Sequence, residues 1–169
     1  MKPVVFLDRD GVVNADIGYL WRREDFVWVP GAPEAIRLFN ERGWPVAVIT
    51  NQSGVARGYY SEEDVRSLHQ WLNLELMKQG ARIDAFYFCP HHPKGAVAGY
   101  TYECDCRKPQ PGMILQAMAD WQADPATSFL IGDKESDVAA AAAAGIQGYL
   151  FSGPNLLEYV QKKILRIEE

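Results

Sequence analysis

The sequence predicts an α/β protein, a Rossmann-like open parallel sheet with helices on both faces. Three observations lead there. Short runs rich in Val, Ile and Phe alternate with longer stretches of helical period, as in strand–helix units that feed a parallel sheet. The segments that leave three of those runs are polar: Asp8-Arg9-Asp10-Gly11, Thr50-Asn51-Gln52-Ser53-Gly54 and Gly132-Asp133-Lys134. Ligands in such sheets bind beyond the carboxyl ends of the strands. With 169 residues, 48% of them hydrophobic, the chain can bury one sizeable core but not two, so a single domain over 1–169 is expected.

The first strand is Val4 to Leu7. Pro33 suits a first helical turn, Ile36 and Phe39 follow at helical spacing, and Gly43 stops the helix before a second strand, Val46 to Ile49. Ser61 is an N-cap with Glu62, Glu63 and Asp64 in the first turn, and Val65, Leu68, Leu72 and Leu76 form a stripe ending near Gly80. His69 on this helix reads as solvent-facing or satisfied, and Trp71 as packing. Ala85 to Phe88 is the third strand. Pro111-Gly112 opens a helix through Ile114, Ala117, Met118 and Trp121, followed by the strand Ser128 to Ile131. From Asp137 to Gly145 an alanine run reads as a helix packed closely on the sheet, where small side chains are wanted. Gln147 to Phe151 is the last strand, and Leu156 to Ile164 a last helix with a charged, fraying end. The stretches between motifs are too short for a cap domain, which leaves an open site. Tyr19, Trp21 and Trp28 either wall it or belong to the core.

A net charge of -5 argues against nucleic acid or an anionic membrane surface as the main partner. The apolar start Val4 to Leu7 ends at Asp8, too short for a signal or a span, so a cytoplasmic location is expected. With no apolar stripe to spare, the expectation is a monomer. A Gly-x-x-x-x-Gly-Lys loop is absent, which speaks against a P-loop nucleotidase.

Carboxylates converging at strand ends would repel one another unless a cation held them together. All-oxygen ligation favours Mg²⁺, assigned to Asp8 and Asp133 with the backbone carbonyl of Asp10. An Asp-x-Asp pair places both acids on one side of an extended chain. Asp8 can then attack phosphorus while Asp10 protonates the leaving alkoxide and later deprotonates water. Lys108 and the Thr50 hydroxyl would balance charge on the transferring oxygens. A lone Asp-x-Asp is commonly a turn, and it is the joint placement of the acids, Thr50 and Lys108 that favours catalysis.

The three cysteines fall in one short region, the wrong pattern for a disulfide framework. Cys89-x-His91 and Cys104-x-Cys106 supply four ligands of the kind that bind Zn²⁺ tetrahedrally, though spacing alone does not choose between His91 and His92. A closed shell of four leaves no open position, so this zinc would be structural and would hold Arg107 and Lys108 at the mouth of the site.

Leu7-Asp8-Arg9-Asp10-Gly11-Val12-Val13-Asn14, Thr50 to Gly54, Lys108-Pro109 and Gly132-Asp133-Lys134-x-x-Asp137 resemble the four ordered motifs of the haloacid-dehalogenase-like (HAD) phosphatases. Ser53 to Gly58, Cys89 to Pro93 and Cys104 to Pro109 narrow the resemblance to the heptose 1,7-bisphosphate 7-phosphatase group. The resemblance implies Asp8 as nucleophile, Asp10 as acid/base, Asp133 as metal ligand, and Thr50 and Lys108 on the phosphoryl group. It implies substrate contacts from Asp16, Ile17, Gly18 and Tyr19, from Thr50, Asn51, Gln52 and Ser53, and from Arg107 and Lys134, and it favours His91 as the zinc ligand. It also implies a sugar bisphosphate substrate, removal of its 7-phosphate, and a place in lipopolysaccharide or surface-glycan synthesis. Arg57 is added as a contact to the second phosphate, since Arg suits bidentate phosphate recognition. Three rivals are a histidinol-phosphate phosphatase, a receiver-like phosphoaccepting signalling module, and a zinc-bound interaction module with a dead site. The receiver reading fits poorly, because the spaced acid pair lies on the first strand.

Overall fold

The structure is a computed structural model and describes residues 1–167, so Glu168 and Glu169, the end expected to fray, lie outside the described residues. Five strands form one parallel sheet: β1 (Val5–Leu7), β2 (Val46–Asn51), β3 (Ala85–Cys89), β4 (Phe129–Gly132) and β5 (Gln147–Leu150), in the order β3-β2-β1-β4-β5. The strand order reverses between β2, β1 and β4, so a crevice opens at the carboxyl ends of β1 and β4. A receiver-type sheet of order 2-1-3-4-5 is thereby excluded.

Alternation along the strands sorts the core. Val5, Leu7, Val46, Val48, Phe129 and Ile131 face one side, packed on α1 (Ala32–Glu41), α2 (Glu62–Lys78) and α5 (Leu156–Tyr159). Phe6, Ala47, Ile49 and Leu130 face the other, packed on α3 (Gly112–Trp121) and α4 (Glu135–Ala143). Burial of both faces explains why the strands read as continuous apolar runs.

Ser61 caps α2 as expected, accepting from the Asp64 amide while Asp64 returns a bond to the Ser61 amide. The alanine run is packed and ordered. A Cβ on Gly148 of β5 would stand 3.1 Å from the Ala141 Cβ and 3.2 Å from the Val138 Cα, so α4 and the sheet approach as closely as small residues permit. This helix starts at Glu135, earlier than the sequence suggests, with Asp137 in its first turn. The last helix is α only to Tyr159 and continues as a π-turn over Val160–Ile164. β2 runs two residues past Ile49, which puts Thr50 and Asn51 on the strand itself.

Among the described residues, the segments after β1 and β3 carry only short 3-10 turns, Arg23–Asp25 and Ala98–Tyr100, and no cap covers the strand ends. No helix of the described chain is long and apolar enough to cross a membrane.

Candidate active site

Asp8 leaves β1 almost fully buried, and its Oδ1 accepts from the Arg9 amide at 2.9 Å and from Lys108 Nζ at 2.9 Å. Lys108 reaches in from the loop before α3. Its ammonium also donates to the Ile49 carbonyl at 2.8 Å and to Asp137 Oδ1 at 2.6 Å. Burial pushes the Asp8 carboxyl up to about 8, with Lys108 opposing the rise and Asp137 adding to it. For Lys108, burial works against the charged form, but Asp8 and Asp137 outweigh it and hold its pKa above the usual value.

Asp137 is the site residue that the sequence left without a part. While one of its oxygens takes the lysine, the other accepts from the amides of Asp133 and Lys134 at 3.2 and 3.1 Å, closing the first turn of α4. The Gly132-Asp133-Lys134-x-x-Asp137 spacing was its only signal, and a carboxylate at that helix position reads locally as an ordinary cap.

Asp10 is held by four donors. Oδ1 accepts from Arg9 Nε and Nη2 at 3.2 and 2.9 Å and from Asn14 Nδ2 at 3.0 Å, and Oδ2 accepts from Gln52 Nε2 at 3.1 Å. Gln52 also donates to Thr50 Oγ1 at 2.9 Å and accepts from the Tyr60 hydroxyl at 2.7 Å. Arg9, fully buried, completes its own shell with the Leu20 carbonyl at 2.8 Å and His69 Nε2 at 3.2 Å. His69 is therefore the satisfied residue, not the solvent-facing one: it is buried, stacks on Phe86 at 4.5 Å, and burial together with Arg9 holds its pKa well below the ordinary value. Arg9 and Asn14 stood in the first motif without a role and Tyr60 had no signal in the sequence, because nothing in a local pattern says that an arginine is wholly buried or which side chains meet it.

Oxygens of Asp8, Asp133 and Asp137 lie within 4.8 Å of one another. Asp133 Oδ1 is buried without a partner, and burial raises its carboxyl above the usual range. Gly11, at φ +93°, makes room for it, since a Cβ there would stand 2.1 Å from Asp133 Oδ2. An orphaned carboxylate oxygen in a cradle that only glycine leaves open fits a small hard cation. Asp137 is committed to Lys108 and two amides, so the fit favours Asp8 and Asp133 as ligands.

A cleft of about 370 Å³ opens over these groups, lined by Asp10, Asp16, Gly18, Tyr19, Asn51, Gln52, Ser53, Tyr60, Arg107 and Lys134. Lys134 faces Asp16 at 3.7 Å. Of the expected contacts, four are not in the lining: Ile17 is exposed, Thr50 and Lys108 are buried, and Arg57 stands over the ring of Tyr19, its guanidinium carbon 5.8 Å from the centroid. Of the three aromatics, Tyr19 lines the cleft and Trp21 stacks on Tyr60, whereas Trp28 packs against Phe26 in the core.

Beside the cleft, Cys89, His91, Cys104 and Cys106 bring their ligand atoms within 4.8 Å of one another. His91 Nδ1 points at the sulfurs, 3.5 Å from Cys89 and 3.3 Å from Cys106, and its Nε2 meets the Tyr102 hydroxyl at 2.6 Å. A second partner on the far ring nitrogen is how metal-bound histidines are oriented. His92 belongs elsewhere, accepting from the Lys94 amide and standing 3.5 Å from Arg57 Nη2. Hydrogen bonding among the thiols pulls Cys106 down to about 5 and pushes Cys89 up. The cluster is compatible with zinc.

A family model described as HAD-hydrolase-like matches residues 105–154. The chain is 50% identical over 167 residues to the D-glycero-beta-D-manno-heptose-1,7-bisphosphate 7-phosphatase of Rhodopseudomonas palustris, covering 99% of this chain and 93% of the relative. It is 46% identical to the protein of the same name from Yersinia pestis over 144 residues, 85% of this chain and 77% of the relative. Among solved structures, D,D-heptose 1,7-bisphosphate phosphatase from B. bronchiseptica, complexed with magnesium and phosphate, superposes with a TM-score of 0.79 at 32% identity, over 96% of this chain and 87% of that one. Sequence, topology and site agree, and the chain belongs to the HAD-like phosphatases, a family of phosphoric monoester hydrolases, in the group of the heptose 1,7-bisphosphate 7-phosphatases.

Proposed function

We propose that this chain hydrolyses the 7-phosphate of a D-glycero-D-manno-heptose 1,7-bisphosphate through an aspartyl-phosphate on Asp8, as a cytoplasmic, single-domain, monomeric enzyme that supplies surface-glycan synthesis. The observation that carries this reading is the meeting of Asp8, Asp133 and Lys108 at the carboxyl ends of β1 and β4, with Asp10 and Thr50 alongside.

Asp8 and Asp133, with the Asp10 carbonyl, would hold Mg²⁺, which supplies charge neutralisation for the substrate phosphate and for the acids around it. Asp8 attacks phosphorus as the bond to the sugar oxygen breaks. Asp10, steadied by Arg9, Asn14 and Gln52, gives its proton to the leaving alkoxide. The same carboxylate then takes a proton from water, whose oxygen attacks phosphorus, releasing phosphate and restoring Asp8. Lys108 and the Thr50 hydroxyl stabilise the charge on the transferring oxygens.

The sugar would lie between the Asp16 to Tyr19 loop, Thr50 to Ser53, Arg107 and Lys134. Arg107 Nη1 and Arg57 Nε are buried donors without partners, which supports a second phosphate on that side. Zinc on Cys89, His91, Cys104 and Cys106 would fix the loop that delivers Arg107 and Lys108.

Phosphate release from heptose 1,7-bisphosphate and from histidinol phosphate, each with and without Mg²⁺, tests the reading. Fast release from the bisphosphate alone, and only with Mg²⁺, is expected. Preference for histidinol phosphate would overturn the substrate, and Mg²⁺-independent turnover would overturn the metal assignment.

A further inference from the structure

Asn51 is the last residue of β2, and its side chain lies against the main chain of Lys108. The Lys108 amide donates to Asn51 Oδ1 at 3.0 Å, and Asn51 Nδ2 donates to the Lys108 carbonyl at 3.2 Å. One side-chain amide thus meets both polar groups of one residue, as a neighbouring strand would. The main chain of Asn51 is itself held, in register with Cys89 of β3, and the next amide, Gln52, donates to the Cys89 carbonyl at 2.8 Å. On its other side Lys108 follows Cys106 by two residues. Its main chain is therefore pinned between the cysteine cluster and the end of β2.

The far end of the same residue is equally constrained, with Nζ 2.6 to 2.9 Å from Asp137, Ile49 and Asp8. An ammonium shared among three acceptors at such distances depends on where its Cα stands, and displacements of about 1 Å at a reacting centre cost on the order of 100-fold in rate.

We propose that Asn51 is a positioning residue: its amide fixes the main chain of Lys108 and thereby the ammonium at Asp8, so its contribution to turnover passes through Lys108 and not through the sugar. This departs from the substrate-contact role that the family resemblance implies, and it rests on the reading that Lys108 acts on the transferring phosphoryl group.

The test is a double-mutant cycle of Asn51→Ala and Lys108→Ala, assayed with heptose 1,7-bisphosphate and with p-nitrophenyl phosphate, which has no sugar. Asn51→Ala is expected to lower kcat by about 10- to 100-fold, by the same factor on both substrates, with KM little changed. The double variant is expected to be no slower than Lys108→Ala, since the two residues act as one unit. A loss confined to the sugar substrate, a loss in KM alone, or losses that multiply in the double variant would overturn the proposal. Full activity in Lys108→Ala would overturn it together with the role given to Lys108, whereas a slow Lys108→Ala beside a fast Asn51→Ala would overturn the positioning role alone. Unchanged far-UV circular dichroism establishes that each variant is folded, and Asn51→Ser, which removes the same two bonds, replaces Asn51→Ala if that variant does not fold.

Discussion

Gly11 stands where the Asp133 carboxylate needs room, and its positive φ is one that other residues adopt only with strain. Gly11→Ala therefore meets two penalties, a backbone cost of about 1–3 kcal/mol and a collision with the carboxylate. Lower stability in urea titration is expected, together with a fall of at least about 100-fold in Mg²⁺-dependent kcat, because Asp133 must move. A variant as active and as stable as the parent would remove Asp133 from the site as described. Gly11 was legible only as part of the Asp-x-Asp-Gly signature, and its reason lies 122 positions away in Asp133, beyond any local pattern. Asp8 and Asp133 were readable, since each stands where an apolar run gives out, and Asp10 followed as the partner of Asp8 in the Asp-x-Asp pair. Arg9 and His69 were not, because their burial is decided by neighbours from other elements.

α2 shows what that burial does at the scale of an element. Its apolar stripe, Val65, Leu68, Leu72 and Leu76, was plain from spacing, and all four residues are buried. His69 shares that inner face and links the helix to the acid pair through Arg9. Its folded pKa lies well below the ordinary 6.5, so below that pH the unfolded chain binds a proton that the folded one refuses. This contribution to stability is complete above pH 6.5 and is lost as pH falls from there toward the folded value. His69→Gln, which keeps an acceptor for Arg9 but cannot titrate, is expected to flatten the fall in thermal midpoint between about pH 7 and 5. An unchanged slope would place the acid sensitivity elsewhere. Strand bounds were off by a residue or two, and at β2 this mattered: ladder bonds to β3 extend through Asn51, where the sequence had turned polar and suggested a loop.

Across the whole molecule, the cysteine cluster and the acid site are two ends of one loop, with Cys106, Arg107 and Lys108 consecutive. Cys104→Ser is expected to lower bound zinc and kcat together while Mg²⁺ still supports the residual turnover. Metal analysis beside the phosphatase assay checks this, and full zinc content in the variant would refute the ligand set. The Cys/His cluster was legible from spacing and the family resemblance favoured His91; the geometry agrees, since its ring nitrogen faces the sulfurs while His92 turns to Lys94 and Arg57. Asp137 joins the scales, with one oxygen on the lysine and the other on the opening amides of α4. The alanine helix is thus stitched to the reaction centre by a single carboxylate. Loss of that carboxylate is expected to loosen the opening turn of α4 and the hold on the lysine at once, so folding and turnover should fall together.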